Sequence, residues 1–513
     1  MKKMLLVFVF LSIAICSLSA QASLDEQGKN GDAAAAFDDL FSDIETEGDA
    51  AGGEPAAVPL SADSKLSLDG EHRVRYSFPL HPDHFDYERK VPTAGNVIKF
   101  RYLKESVTVL SEWDLLLEAE QGRDLETRSR VLPGENYISW ALDRTTLTLG
   151  YQRYAWGVGD DINPTDNIDY KNYRDDPFSP DDLPVFSGHI QFYPTDEWEL
   201  ALVVVPVDGT NREYFSVEEE IPGEIFAGNK SIEREEPVFS PESTVWGFKI
   251  NHYGAGLDWS ASYVYDFDSY YTPRLELKDN GGIWTVETLG LRRDRIHRIG
   301  VDAKKVVGRY SIWTEAAYSI SKDFLNDDVN QRNHDLAWVV GGDFQFGGLD
   351  QHYCNFQYYG LWIPDFYDNF SNDYPGGIPD PGRMNEFDYM RDYYYRSITE
   401  SLGGREAGIV HGLALSLEGS FHRDKIKPTL DLAVEIPDRY DDIAGSPLLS
   451  AYLDPSIVFD LAENFDLEVR APIAFGLIER DGDLENNDES EAGILSHDNS
   501  ISLTLRYRWK KRF

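Results

Sequence analysis

The chain has 513 residues, with 90 acidic and 48 basic side chains and a formal net charge of −42. That balance excludes nucleic acid as a partner, because binding phosphate needs Lys and Arg. Cys16 and Cys354 are too few for a disulfide framework or a CxxC metal site, and 29 Tyr, 27 Phe and 11 Trp beside four Met favour aromatic strands over packed helices.

Lys2 and Lys3 precede an apolar run from Met4 to Ile15 that is too short to anchor in a bilayer. Ala20 and Ala22 then supply the small residues of a cleavage site, so residues 1–22 read as a secretory signal peptide. Bulky Ile15 before Cys16 departs from a lipoprotein pattern. Residues 23–63 are mostly Ala, Gly, Asp and Glu, and read as an acidic disordered linker. Within it, Phe37–Ile44 is either a short docking motif or part of a solvated tail.

Residues 64–513 contain no apolar stretch long enough for a transmembrane helix. They contain recurrent period-2 segments instead. Trp246, Phe248 and Ile250 alternate with Gly247, Lys249 and Asn251. Phe465, Leu467, Val469, Ala471, Ile473, Phe475 and Leu477 alternate with polar neighbours. Ile501, Leu503, Leu505, Tyr507 and Trp509 alternate with Ser502, Thr504, Arg506 and Arg508. A soluble sandwich alternates too, but three features point to a membrane barrel. The segments run roughly 10 to 13 residues, enough to cross a bilayer with tilt. Aromatics gather near their ends, as interfacial girdles do. Short links (103–106, 141–144, 194–197, 253–256, 306–309, 347–350, 422–425, 462–464) alternate with long acidic or Pro/Gly-rich loops such as 207–242, 364–405 and 480–497.

This rhythm predicts an all-β fold: a transmembrane antiparallel β-barrel of 18 strands, with 16 as the main alternative, short periplasmic turns and long extracellular loops. The last strand, carrying Tyr507, Trp509 and the terminal Phe513, looks like the signal read by the barrel-assembly machinery. Partners expected from this are outer-membrane lipid and small polar solutes.

The segment Leu147–Asp175 has the form Gly-x-Gln-x-x-x-Trp-Gly, then Asp, then Asn-Pro-x-Asp, on Gly150, Gln152, Trp156, Gly157, Asp160, Asn163, Pro164 and Asp166. It resembles a Gram-negative, porin-like family of outer-membrane barrels, distantly similar to alginate-export barrels. The resemblance implies an outer-membrane channel without specifying its solute. Physically, Leu147, Leu149 and Tyr151 should face lipid, while Thr148, Gly150, Gln152, Tyr154 and Trp156 face inward. Gly150 permits close backbone approach. The turn residues that follow suit either a loop folded into the pore or a stiff surface loop. The Asp160–Asp166 acids lack EF-hand spacing, so no metal site is expected.

Inward positions place Arg73 and Arg75 on the first strand, Lys99 and Arg101 on the second, and Arg506 and Arg508 on the last, adjacent around a closed barrel. Glu112, Asp114, Glu118, Glu315, Asp343, Glu418, Asp431, Asp466 and Glu468 supply acidic wall. The two readings are an ordinary mixed-charge lumen and a basic stripe facing acidic walls, a transverse field that orients polar or anionic solutes. Histidines are scattered, with no HExxH or GxSxG, so neither enzyme nor cofactor is expected. The leading function is a porin-like channel for passive diffusion of small polar or anionic solutes. A polysaccharide-export or envelope-assembly barrel is the alternative. Outer-loop aromatics (Phe366, Tyr367, Tyr389, Tyr393, Tyr394, Tyr395) suit either sugar stacking or loop packing.

Overall fold

The chain divides into two units, 1–59 and 60–513. The computed structural model describes residues 65–513, apart from 81–92, 122–124, 161, 177–178, 208, 210, 213–224, 227–230, 235–238, 255, 270, 327–330, 349–351, 365–379, 402–407, 438–446, 481–482, 487–494 and 497–498. The expected signal peptide and acidic linker lie outside the described residues, as do Phe366 and Tyr367.

Eighteen antiparallel strands form the wall. The first nine are β1 (Lys65–Pro79), β2 (Thr93–Lys104), β3 (Val107–Gln121), β4 (Leu125–Leu142), β5 (Thr145–Gln152), β6 (Val185–Thr195), β7 (Trp198–Val205), β8 (Val245–Gly254) and β9 (Leu257–Phe267). The next are β10 (Arg295–Val307), β11 (Tyr310–Ile320), β12 (Asp335–Phe346), β13 (His352–Trp362), β14 (Ile409–Gly419), β15 (Ile426–Pro437) and β16 (Pro447–Ala462). The last are β17, in two pieces (Phe465–Arg470 and Ile473–Arg480), and β18 (Ser500–Arg512). Each strand pairs with its chain neighbours, and β18 closes on β1 from Ser67↔Arg512 to Pro79↔Ser500. Phe513 seals the seam, donating its N–H to the Leu66 carbonyl at 2.8 Å. Closure leaves no unpaired edge.

The burial pattern explains the closure. Val74, Ile299, Ile312, Leu413 and Leu503 are exposed on the outer face, whereas Ser187, Glu315, Gln357 and Thr504 are buried inside. This inverts the soluble arrangement and suits a wall whose outer solvent is lipid. Among the described residues no helix is long and apolar enough to cross a membrane. Cys354 sits on β13 between outward Phe344 and Leu417.

All eight short links fall at one end of the barrel. Tight hairpins need positive φ, supplied by Glu105 (52°) after β2 and Gly308 (65°) after β10. The expected continuous strand 465–477 is interrupted at Ala471-Pro472. Pro472 has no N–H to give the ladder, and Ala471 instead donates to the Pro455 carbonyl at 2.9 Å.

At the opposite end the long connections carry structure that alternation does not reveal. Strands Ile232–Arg234, Thr272–Asp279 and Trp284–Arg292 form a small sheet, and helix α1 (Phe387–Ser401) packs on it. Val286, Leu289, Met390 and Ile398 are fully buried between them. The helix tyrosines pack here: the Tyr394 hydroxyl donates to the Trp284 carbonyl at 2.9 Å, and the Tyr395 hydroxyl accepts from Leu275 N at 3.3 Å. Tyr389 accepts from the Asp380 amide at 2.8 Å.

Candidate functional site: the lumen and its inward loop

Strand β5 carries Gly150 with φ 136°, where a Cβ would meet the Asn136 carbonyl and Tyr137 Cα of β4. Only glycine tolerates both the conformation and that approach. Gln152, on the same inward face, donates to the Ser187 carbonyl (3.1 Å) and hydroxyl (3.0 Å) on β6.

Beyond Gln152 the chain turns into the lumen. Tyr154, Trp156 and Ile168 bury against Val185, Val203, Val205, Val245 and Val264, an apolar patch on the inner wall. Gly157 (φ 103°) faces Asn163 and Thr165 so closely that a Cβ there would collide with both side chains. The loop then reaches β11. Glu315, 1% exposed, accepts the backbone N–H groups of Val158 (2.5 Å), Gly159 and Thr165 (3.3 Å), and the Thr165 hydroxyl (2.9 Å). Asp160 accepts from Tyr353 (3.0 Å) and Asn355 on β13. Asp175 pairs with Arg130 on β4 at 2.6 Å, and Asp176 pairs with Arg470 on β17. Residues 153–184 therefore contact walls on several sides and narrow the passage between them.

Within the loop, Asp166 accepts from Trp156 N at 3.3 Å and Asp169 from Tyr154 N at 2.5 Å. Burial pushes Asp166 up to about 6 and Asp169 up to about 8, the latter further raised by Asp166 and Asp182. Burial also pushes the Tyr154 hydroxyl upward. Pro164 supplies a carbonyl to the Asn167 amide at 2.8 Å, and Asn163 accepts from the Thr165 hydroxyl at 3.3 Å. Among the described residues no cluster of His, Cys, Asp or Glu is arranged to hold a metal.

The six cations share one wall, because β18, β1 and β2 are adjacent. On this wall the charges are mixed. Glu112, Asp114, Asp466 and Glu468 interleave with the cations rather than facing them. Arg73 pairs with Asp114 (2.5 Å) and Lys99 with Glu112 (2.7 Å). Arg506 pairs with Asp466 (3.2 Å) and Glu468 (2.5 Å), and Arg508 with Glu71 (3.0 Å) and Asp466 (2.6 Å). The cause is register: Lys99↔Glu112, Asp466↔Arg506 and Glu71↔Arg508 stand directly opposite on neighbouring strands. Arg75 and Arg101 have no ion pair within 4 Å among the described residues, although Asp176 and Glu468 lie near enough to act on Arg75. Glu315 is also not free acidic wall, since the loop consumes its hydrogen-bonding capacity. The side chain of Glu118 lies outside those described.

At the seam, the Trp509 indole lies over Gly70 and donates to His72 at 3.2 Å, while Tyr507 stacks on His72 and packs against Phe465.

Sequence reasoning missed the apolar inner patch. Its signal is β7, where Leu200, Leu202 and Val204 alternate with Ala201, Val203 and Val205, making both faces apolar. A strand apolar on both faces covers something on each.

Fold and site together define a closed 18-strand barrel with a loop-narrowed polar lumen. No family model and no curated protein matches the chain. Among solved structures it is similar to OccK11 (OpdR) of Pseudomonas aeruginosa, with 10% identity and a TM-score of 0.44, covering 87% of this chain and 96% of that one. It is similar to OccAB4 of Acinetobacter baumannii, with 8% identity and a TM-score of 0.46, covering 88% and 98%. OpdK of P. aeruginosa, solved with vanillate, gives 9% identity and a TM-score of 0.46, covering 88% and 100%. Likenesses this distant assign no family, and the resemblance read in Leu147–Asp175 has no matching family model behind it.

Proposed function

We propose that the protein is an outer-membrane channel for passive diffusion of small polar solutes. The observation that carries this reading is the inward loop. Residues 153–184 narrow the lumen of a closed barrel and are fixed by Glu315 on β11 and Arg470 on β17. A constriction held this way favours small solutes over a polymer, and a lumen lined by charged, amide and hydroxyl groups favours polar over apolar ones.

Arg75 and Arg101 support a local preference for anions along one wall, where the neighbouring cations are paired with carboxylates. The apolar outer surface supports a lipid environment. The experiment is reconstitution of purified, heat-modifiable protein into planar bilayers and solute-loaded vesicles. Discrete ohmic current steps and leakage of small solutes support the reading. A folded protein that gives neither removes it.

A further inference from the structure

A chamber of about 560 Å³ opens between the wall of β3–β10 and loop residues 153–158. That volume lies within the range of small-molecule sites. Its chemistry differs from that of the basic wall.

The charged side chains lining the chamber are four carboxylates, Glu135, Glu199, Asp258 and Asp302, beside two cations, Arg153 and Lys249, a surplus that disfavours anions. The Lys249 ammonium is 3.8 Å from Asp302 and lies over the Trp156 ring at 5.7 Å from its centroid. Glu199 and Glu315 add further negative field around it, so an arriving anion meets carboxylates wherever it meets Lys249. The acids are occupied in turn. Glu199 accepts from Gln191 at 2.8 Å and from the Tyr253 hydroxyl at 2.9 Å, and Asp302 accepts from Ser260. These donors are neutral, so the carboxylates keep their charge and spare lone pairs that also accept from solute hydroxyls.

Neutral hydrogen-bonding groups remain. The Tyr137 hydroxyl and the Asn251 amide line the chamber without a side-chain partner among the described residues. His189, seated edge-on to Tyr154, also lines the chamber, and its buried Nε2 has no partner among the described residues.

We propose that this chamber is a binding subsite for an uncharged polyhydroxylated solute, such as a sugar or polyol, on its way through the lumen. Hydroxyls both donate and accept, so one solute suits phenol, amide, imidazole and carboxylate together. The inference rests on the channel reading and narrows it to a solute class.

The test titrates the channel in planar bilayers with a neutral hexose and a hexitol. A monocarboxylate and a primary amine of similar size serve as comparisons. Saturable current block by hexose or hexitol is expected. In the Tyr137→Phe/Asn251→Ala double variant the block should weaken about tenfold, the loss of one to two neutral hydrogen bonds, with open conductance unchanged. Block by the carboxylate or the amine alone overturns the inference, as does sugar block unchanged in the double variant. If the double variant loses heat-modifiability, His189→Phe, which removes the unpaired nitrogen, replaces it under the same criteria. A folded wild-type protein without conductance instead removes the channel reading, so the two failures are distinguishable.

Discussion

Glu315 accepts the backbone N–H of Val158 at 2.5 Å across 157 positions of sequence. Three more loop donors, from Gly159 and Thr165, converge on the same carboxylate. Hydrogen bonds to a charged group are worth roughly 1.5–3 kcal/mol each, and a loop held by four of them has little freedom.

Replacing Glu315 by Ala should therefore weaken loop anchoring by about 2–4 kcal/mol while leaving the barrel closed. Limited proteolysis of detergent-solubilised protein reads this directly. The variant should be cut within residues 157–184 under conditions where the parent is not, with heat-modifiability retained. Equal resistance in both proteins would mean that the loop is held elsewhere.

Asp166 and Asp169 give the loop a pH dependence with a defined sign. Both carboxyls are raised by burial, to about 6 and about 8. The folded loop therefore holds protons that the released loop gives up. The associated stability is fully present below the ordinary aspartate range and is lost as pH rises through the folded values. The groups facing Asp169 are Asp166, Asp182 and Lys171. Loop protection against protease should fall between about pH 4 and pH 8, and Asp169→Asn should flatten the upper part of that fall. A profile that rises with pH would contradict the assignment.

The basic wall separates into two kinds of cation. Arg75 and Arg101 lack ion pairs among the described residues, whereas Arg506 bridges Asp466 and Glu468. Arg75→Gln with Arg101→Gln should shift the reversal potential under a salt gradient towards cations, with thermal stability unchanged. Arg506→Gln should lower thermal stability, because Asp466 and Glu468 lose the cation between them; removing one partner of a buried pair costs roughly 3–5 kcal/mol, less for this partly solvated set. The opposite assignment of effects would show that the pairs, not the unpaired arginines, set selectivity.

Trp509 covers Gly70 at the seam, and Phe513 is bonded to Leu66. Trp509→Ala should lower the temperature at which the barrel form disappears in semi-native gels, more than Phe465→Ala does on the adjacent strand. Equal shifts would remove the special role of the seam.

The barrel was legible because its periodicity is local. Each strand alternates within about ten residues, and each hairpin announces itself by a short polar link, so strand number and facing follow without tertiary information. Gly150 was legible for the same reason, as a glycine inside a strand marks a close approach. The role of Glu315 was not, because its partners are backbone N–H groups distant in sequence, which carry no residue signature. The charge pairs depended on register across strands. Alternation assigned Arg506 and Asp466 to the inside but could not show that they stand opposite one another. Helix α1 escaped notice because its apolar face meets a sheet assembled from other loops.

The central claim is that a fixed inward loop limits passage through an otherwise open barrel. Its most direct measurement is the single-channel conductance of the parent beside a Glu315→Ala/Asp176→Asn variant, which frees the loop from β11 and from Arg470 on β17. The account predicts discrete ohmic steps for the parent and steps severalfold larger, with more open-channel noise, for the variant. Identical conductance in two equally folded proteins, or no conductance in either, would contradict it.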